Sequence, residues 1–248
     1  MEGGQSLKII LDAGHGGKDS GAVGNGLYEK NITLEIVKRL ERILKETYQN
    51  VEVMLTRTDD TFLSLDERTK KANMWGADVA LSIHINSAIN PSAKGYEDFV
   101  YLKADAPTKA LQNVMHDEIT RAISAYHITD RGKKSADFHM LRMTKMKALL
   151  TENLFISNSA DTALLKQSIF LDKLALGHAI GLERFFGLKK IIRPPSPVAS
   201  APKETVSTQP IAEELYQVIT GTFRERKNAD ALVLKLKNEG YNAYVDRK

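Results

Sequence analysis

Residues 8–57 read KIILDAGHGGKDSGAVGNGLYEKNITLEIVKRLERILKETYQNVEVMLTR, and the order of patterns in that stretch decides the fold class. Lys8–Asp12 (KIILD) is a short apolar run of the kind buried inside a sheet, and a loop rich in glycine follows it. From Glu29 to about Tyr48, Ile32, Ile36, Leu40, Ile43 and Leu44 recur at helical spacing and share one face. Val51–Arg57 then reads as a second strand. Downstream, Ser64–Leu65–Asp66–Glu67 is a capping box, in which serine and glutamate satisfy free N–H groups at a helix start; this helix runs to about Gly76. Asp78–Asn86 (DVALSIHIN) is a third strand, Tyr96–Leu102 a fourth, and a helix spans Pro107 to about Tyr126. Ala148–Leu154 (ALLTENL) is a fifth strand, and two helices between Ser159 and Gly187 close the body. Strands alternating with helices predict an α/β fold, a mostly parallel sheet covered on both faces.

The chain has 248 residues, 42% of them hydrophobic, enough for one α/β domain with a small appendage. It contains no cysteine, which excludes disulfides, thiolate metal sites and cysteine nucleophiles, so any metal must be held by His, Asp or Glu. No run approaches the roughly 18 apolar residues of a membrane helix, so no membrane insertion is expected. The first ten residues, MEGGQSLKII, lack the features of a secretory signal, and the expectation is cytoplasmic synthesis with another route to any extracellular target.

Net charge is +4, and all of it lies from Lys189 onward, where eleven Lys/Arg meet seven Asp/Glu. A neutral body with a basic tail suits a polar or anionic polymer partner. Nucleic acid is not expected, because the charge is modest and no aromatic–basic groove pattern stands out. Five of the seven prolines fall in IIRPPSPVASAPKETVSTQP, residues 191–210, a linker by composition. The expected organisation is a body over 1–188, a Pro-rich linker over 189–210 and a tail module over 211–248. Residues 214–248 read as strand, helix and strand, with Gly240 ending the helix.

In open α/β sheets, function gathers beyond the carboxyl ends of the strands. His15 follows the first strand, His84 lies near the end of the third, Glu152 lies in the fifth, and Glu29 stands where the glycine-rich loop enters the first helix. Four groups able to bind a metal or move a proton are thus expected at one edge. Singly, each has a plainer reading: a loop histidine is usually just hydrogen-bonded, and a glutamate starting a helix usually complements its dipole. Glu152 resists that reading, since an unpaired carboxylate in the apolar run LLTENLF costs several kcal/mol.

KIILDAGHGGKDSGA, YEKNITLEI, SLDERTKKANMWGADVALSIHINS and ALLTENLFISN resemble, in order, the blocks of the zinc N-acetylmuramoyl-L-alanine amidases, over about residues 7–187. The resemblance implies an α/β fold whose mixed, mostly parallel sheet has about six strands flanked by helices. It implies a zinc ion held by His15, Glu29 and His84, with Glu152 as general base and acid. The implied reaction cleaves the amide between N-acetylmuramic acid and the L-alanine of the peptidoglycan stem. Asp12 and Asn86 are candidates for orienting the histidine rings. The family often has proline and small apolar residues before the catalytic glutamate, whereas this chain has TKMKALLTE, and Lys145 and Lys147 are expected to alter the cleft rim. His116, His127 and His178 read as structural or exposed, His139 as a candidate cleft residue, and Arg68 as a surface or packing residue. The tail is similar to one half of a SPOR domain, which implies binding to glycan strands; a βαβ unit of this size rarely holds a core alone. Two alternatives stay open: a zinc peptidase on stem peptides, and an inert wall-binding protein. The expected setting is a monomer acting on the wall after release, by phage lysis or mother-cell lysis.

Overall fold

The computed structural model describes residues 6–192, together with residues 226, 228–230, 232, 233 and 245. The linker beyond residue 192 and the strand–helix–strand reading of the tail lie outside the described residues, apart from helical backbone at positions between 226 and 233. Contacts divide the chain into two units, Met1–Pro194 and Pro195–Lys248, and the first carries the site.

Strand β1 (Leu7–Ala13) leads through a small hairpin, β2 (Val23–Gly24) and β3 (Leu27–Tyr28), into α1 (Glu29–Thr47). β4 (Val51–Leu55), α2 (Leu65–Trp75), β5 (Val79–Asn86), β6 (Tyr96–Tyr101) and α3 (Ala106–Ala122) follow. Then come β7 (Asp130–Ala136), α4 (His139–Met143), β8 (Lys147–Phe155), α5 (Ser159–Leu165) and α6 (Ser168–Phe186). The sheet order is β4-β1-β5-β8-β6-β7. The first four strands are mutually parallel, while β6 runs antiparallel to β8 and carries β7 parallel beside it. The architecture is therefore the expected six-stranded mixed sheet between helices.

Both faces of the central strands are covered, which is why they read as continuous apolar runs. Ile9 and Leu11 point into the larger core under α1, α3 and α6, while Ile10 points into a smaller one with Ala72 of α2 and Leu141 of α4. α3 and α6 approach closely because Gly177 has no side chain: a Cβ there would stand 2.9 Å from Ile119 Cα. The capping box forms at α2, where Ser64 Oγ accepts from Glu67 N and Glu67 Oε2 accepts from Ser64 N at 2.7 Å. The long helix from Pro107 stops at Ala122 and continues only as a 3-10 turn, Ser124–Tyr126. Among the described residues, no helix is long and apolar enough to cross a membrane.

Candidate metal centre

From β1 the chain crosses to β4 on one side and then returns to β5 on the other, so the carboxyl ends of β1 and β5 flank a switch point. His15 lies two residues beyond β1 with φ 63, a left-handed backbone that costs roughly 1–2 kcal/mol for a non-glycine residue and needs support. Support comes from cations beneath the loop. Arg57 donates to Ala13 O and Gly14 O, and Arg68 donates to Ala13 O and to His15 O at 2.6 Å. Lys30 Nζ donates to Gly17 O, and Thr33 Oγ1 to Gly14 O. Arg68 is therefore no surface residue: it is 2% exposed and pairs with Asp12 at 2.8 Å.

Glu29 opens α1 and is buried, with its carboxylate between the two imidazoles. Oε2 lies 3.2 Å from His15 Nε2 and Oε1 3.0 Å from His84 Nδ1. Both oxygens also accept backbone bonds, from Ala22 N and Ile85 N. One ligand atom from each of the three residues falls within 4.8 Å of the others. Missing side chains make the room: a Cβ on Gly21 would stand 2.6 Å from both Glu29 Oε2 and His15 Cδ2, and one on Gly14 would enter the His84 ring. Two imidazole nitrogens and one carboxylate oxygen fit a zinc ion, with a coordination position to spare.

Burial alone would raise the Glu29 carboxyl, but hydrogen bonds and charge from His15 and His84 hold it well below the usual range. Burial likewise opposes charge on the rings, yet Glu29, with Asp19, lifts His15 to about 9, and Glu29 and Glu152 lift His84. The negative field that holds a proton here is the field a cation would occupy. His15 Nδ1 is 2.9 Å from Asp19 Oδ2, and Asp19 is itself fixed by the Gly21 N–H. Asp12 instead bonds Thr56, Ser82 and Arg68, and Asn86 donates to Glu97, so neither orients an imidazole. Sequence reasoning missed Asp19, although its place four residues after His15 in HGGKD was the available signal.

Glu152 sits in β8 directly opposite His84 of β5 and Glu97 of β6. Its Oε2 is buried and has no hydrogen-bond partner among the described residues. Burial pushes its carboxyl up to about 7, with Glu29 and Glu97 adding to the rise against the His84 charge. Glu97 is driven the other way: Lys134 and Arg131 outweigh its burial and keep it ionised. Neighbouring carboxylates pushed apart in this way mark groups with different roles.

The cleft wall is built from Phe62–Asp66 and His139, whose Nε2 lies 3.1 Å from Asp66 Oδ1. His139 thus stands where the sequence suggested. His116 and His178 are buried structural residues, the first between Asp98 and Asp130, the second between Thr151 and Leu174 O; His127 follows the 3-10 turn. Lys147 pairs with Val79 at the opposite end of β8 from Glu152, and Lys145 bonds Asn73 near the end of α2. The expected alteration of the cleft rim by these lysines does not occur, because strand direction carries them away from it.

A family model described as N-acetylmuramoyl-L-alanine amidase matches residues 9–184. The chain is 43% identical over 239 residues to the N-acetylmuramoyl-L-alanine amidase CwlM of Bacillus licheniformis, covering 96% of this chain and 84% of that protein. It is 42% identical, with the same coverage, to the sporulation-specific N-acetylmuramoyl-L-alanine amidase of Bacillus subtilis (strain 168). It is 49% identical over 187 residues to an endolysin of Bacillus phage SPP1, covering 75% of this chain and 68% of that one. The catalytic domain of CwlV, an amidase from Bacillus (Paenibacillus) polymyxa var. colistinus, superposes with a TM-score of 0.69 at 39% identity, over 74% of this chain and 99% of that one.

Proposed function

Because the chain belongs to the N-acetylmuramoyl-L-alanine amidase family, we propose that His15, Glu29 and His84 hold a zinc ion and that Glu152 moves the protons of the amide hydrolysis. The observation that carries this reading is the convergence of those three ligand atoms within 4.8 Å, beside a glutamate paired to His84 in the sheet. A zinc ion held there supplies Lewis-acid polarisation of the scissile lactyl carbonyl and of the attacking water. Glu152 takes the proton of that water on its carboxylate and returns one to the departing alanine nitrogen, a role that its burial favours by making the protonated form easier to reach. Asp19 fixes the ring of His15, and the braced loop keeps His15 Nε2 aimed at the site.

The substrate is peptidoglycan, as the names of the relatives support. We assign residues 211–248 a further role in holding glycan strands. We place the protein's action at the wall after release from a lysed cell, as a monomer; relatives named as a sporulation-specific amidase and an endolysin support that setting.

The test is digestion of purified peptidoglycan by wild type, by Glu152→Ala and by chelated protein. Expected are new amino-terminal L-alanine without new reducing ends, restoration of the chelated protein by zinc, and a loss of about 10²–10⁴-fold in Glu152→Ala. New amino termini other than L-alanine would make the enzyme a stem peptidase, and a fully active Glu152→Ala would sink the proton-transfer assignment.

A further inference from the structure

We propose that Arg131, seconded by Lys134, is the subsite that receives a carboxylate of the stem peptide on the leaving-group side of the scissile bond. This rests on the catalytic reading above and extends it to the substrate. His84, Glu152 and Glu97 are register partners across β5, β8 and β6, so their side chains share one face of the sheet. That face is covered by α2 and α4 over Ile10, Ala80, Ala148 and Leu150, and His84, Glu152 and Glu97 form the next row towards the site. Two strands on, Arg131 Nε donates to Glu97 Oε2 at 2.7 Å, and Lys134 Nζ reaches the same oxygen.

Two cations serve the one Glu97 carboxylate. Glu97 is also filled from its other side by the Asn86 amide at 2.7 Å. Of the other acids nearby, Asp161 accepts from Gly95 N and Phe155 N and also interacts with the Arg131 charge, and Asp130 faces His116. The Arg131 guanidinium lies 4.7 Å over the Phe155 ring, which fixes its plane. Its two terminal nitrogens have no hydrogen-bond partner among the described residues, and the side chain is 32% exposed. A guanidinium so held, with its terminal N–H groups unspent, is built to take a carboxylate in a forked pair.

Substrate chemistry chooses the side. The muramoyl half offers hydroxyls and neutral amides, whereas the peptide half carries the carboxylates. Adjacent strands lie about 4.8 Å apart, so Arg131 stands about 10 Å beyond Glu152, the span of two to three residues of extended peptide. A peptide whose first nitrogen lies at Glu152 and which runs across β6 brings its second or third residue to Arg131.

The experiment uses an N-acetylmuramoyl tripeptide with all carboxylates free and the same compound fully amidated, given to the zinc-loaded full chain, to Arg131→Gln and to Arg131→Lys. Wild type should cleave the acid with the lower KM. Arg131→Gln should raise KM for the acid about tenfold more than KM for the amide, and so abolish the preference, whatever change in kcat the two compounds share through Glu97. Arg131→Lys, which keeps the charge and loses the fork, should fall between. Equal losses on both compounds would reduce Arg131 to a prop for Glu97, and an unchanged preference would equally overturn the subsite. Wild type that cleaves neither compound would overturn the catalytic reading and the subsite together, whereas full activity without preference overturns the subsite alone.

Discussion

At the scale of single residues, the site depends on how one strained histidine is held. His15 has a left-handed backbone, and its ring is oriented by Asp19, an acid that is itself pinned by the Gly21 N–H. Removing Asp19 leaves the three ligands in place but frees the ring and its tautomer. Asp19→Ala should therefore weaken zinc affinity about 10–100-fold, measured by competition with a chromogenic chelator, while activity returns at excess zinc. Unaltered affinity would mean that packing alone fixes the ring. The meeting of His15, Glu29, His84 and Glu152 at one edge of the sheet was legible because strand ends and a helix start carry them there. Arg57 and Arg68 were not, because their partners are backbone carbonyls of a loop whose path no local pattern reveals. The same holds for Arg131, whose meaning comes only from a neighbour 34 positions away.

At the scale of elements, β8 delivers Glu152 and is tied from beneath to α6. Asn153 Nδ2 donates to Thr151 Oγ1, that hydroxyl donates to His178 Nε2, and His178 Nδ1 donates to Leu174 O at 2.7 Å. The chain of donors requires a neutral His178, and burial lowers its pKa from 6.5 to about 4. Between those values the unfolded chain binds a proton that the folded chain refuses. The stabilisation is thus complete above about pH 6.5 and is lost as pH falls towards 4, by roughly 3 kcal/mol. Denaturant melts should show this loss in wild type and a flatter profile in His178→Gln; parallel profiles would clear His178 of the effect. His116, charged between two acids, has a raised pKa and so acts in the opposite sense, and the difference between the two proteins isolates His178. Elements with strong periodicity, such as α1, β5 and the capped α2, were readable to within a few residues. β7 escaped because an edge strand, DRGKKSA, has exposed polar positions and no apolar alternation. α4 has five residues and the strands of the β2–β3 hairpin two each, too short for any periodicity to register.

At the scale of the whole molecule, the unit ending at Pro194 contains the sheet, both cores and the complete candidate centre. Its last described residues still pair with the body, with Ile191 N donating to Thr47 O at 2.8 Å. A chain stopped after Pro194 should cleave soluble muropeptides as fast as the full chain, yet sediment less with purified peptidoglycan. Equal sedimentation would remove the tail from wall binding. The bracing beneath the glycine-rich loop has a consequence for the life of the protein. Arg57, Arg68, Lys30 and Thr33 hold that loop with bonds that make no use of an ion. Unlike small zinc domains that fold only around their metal, a loop held this way would present the proposed ion with a cradle already shaped. On the proposed zinc reading, loading would then be a matter of ion supply and not of refolding.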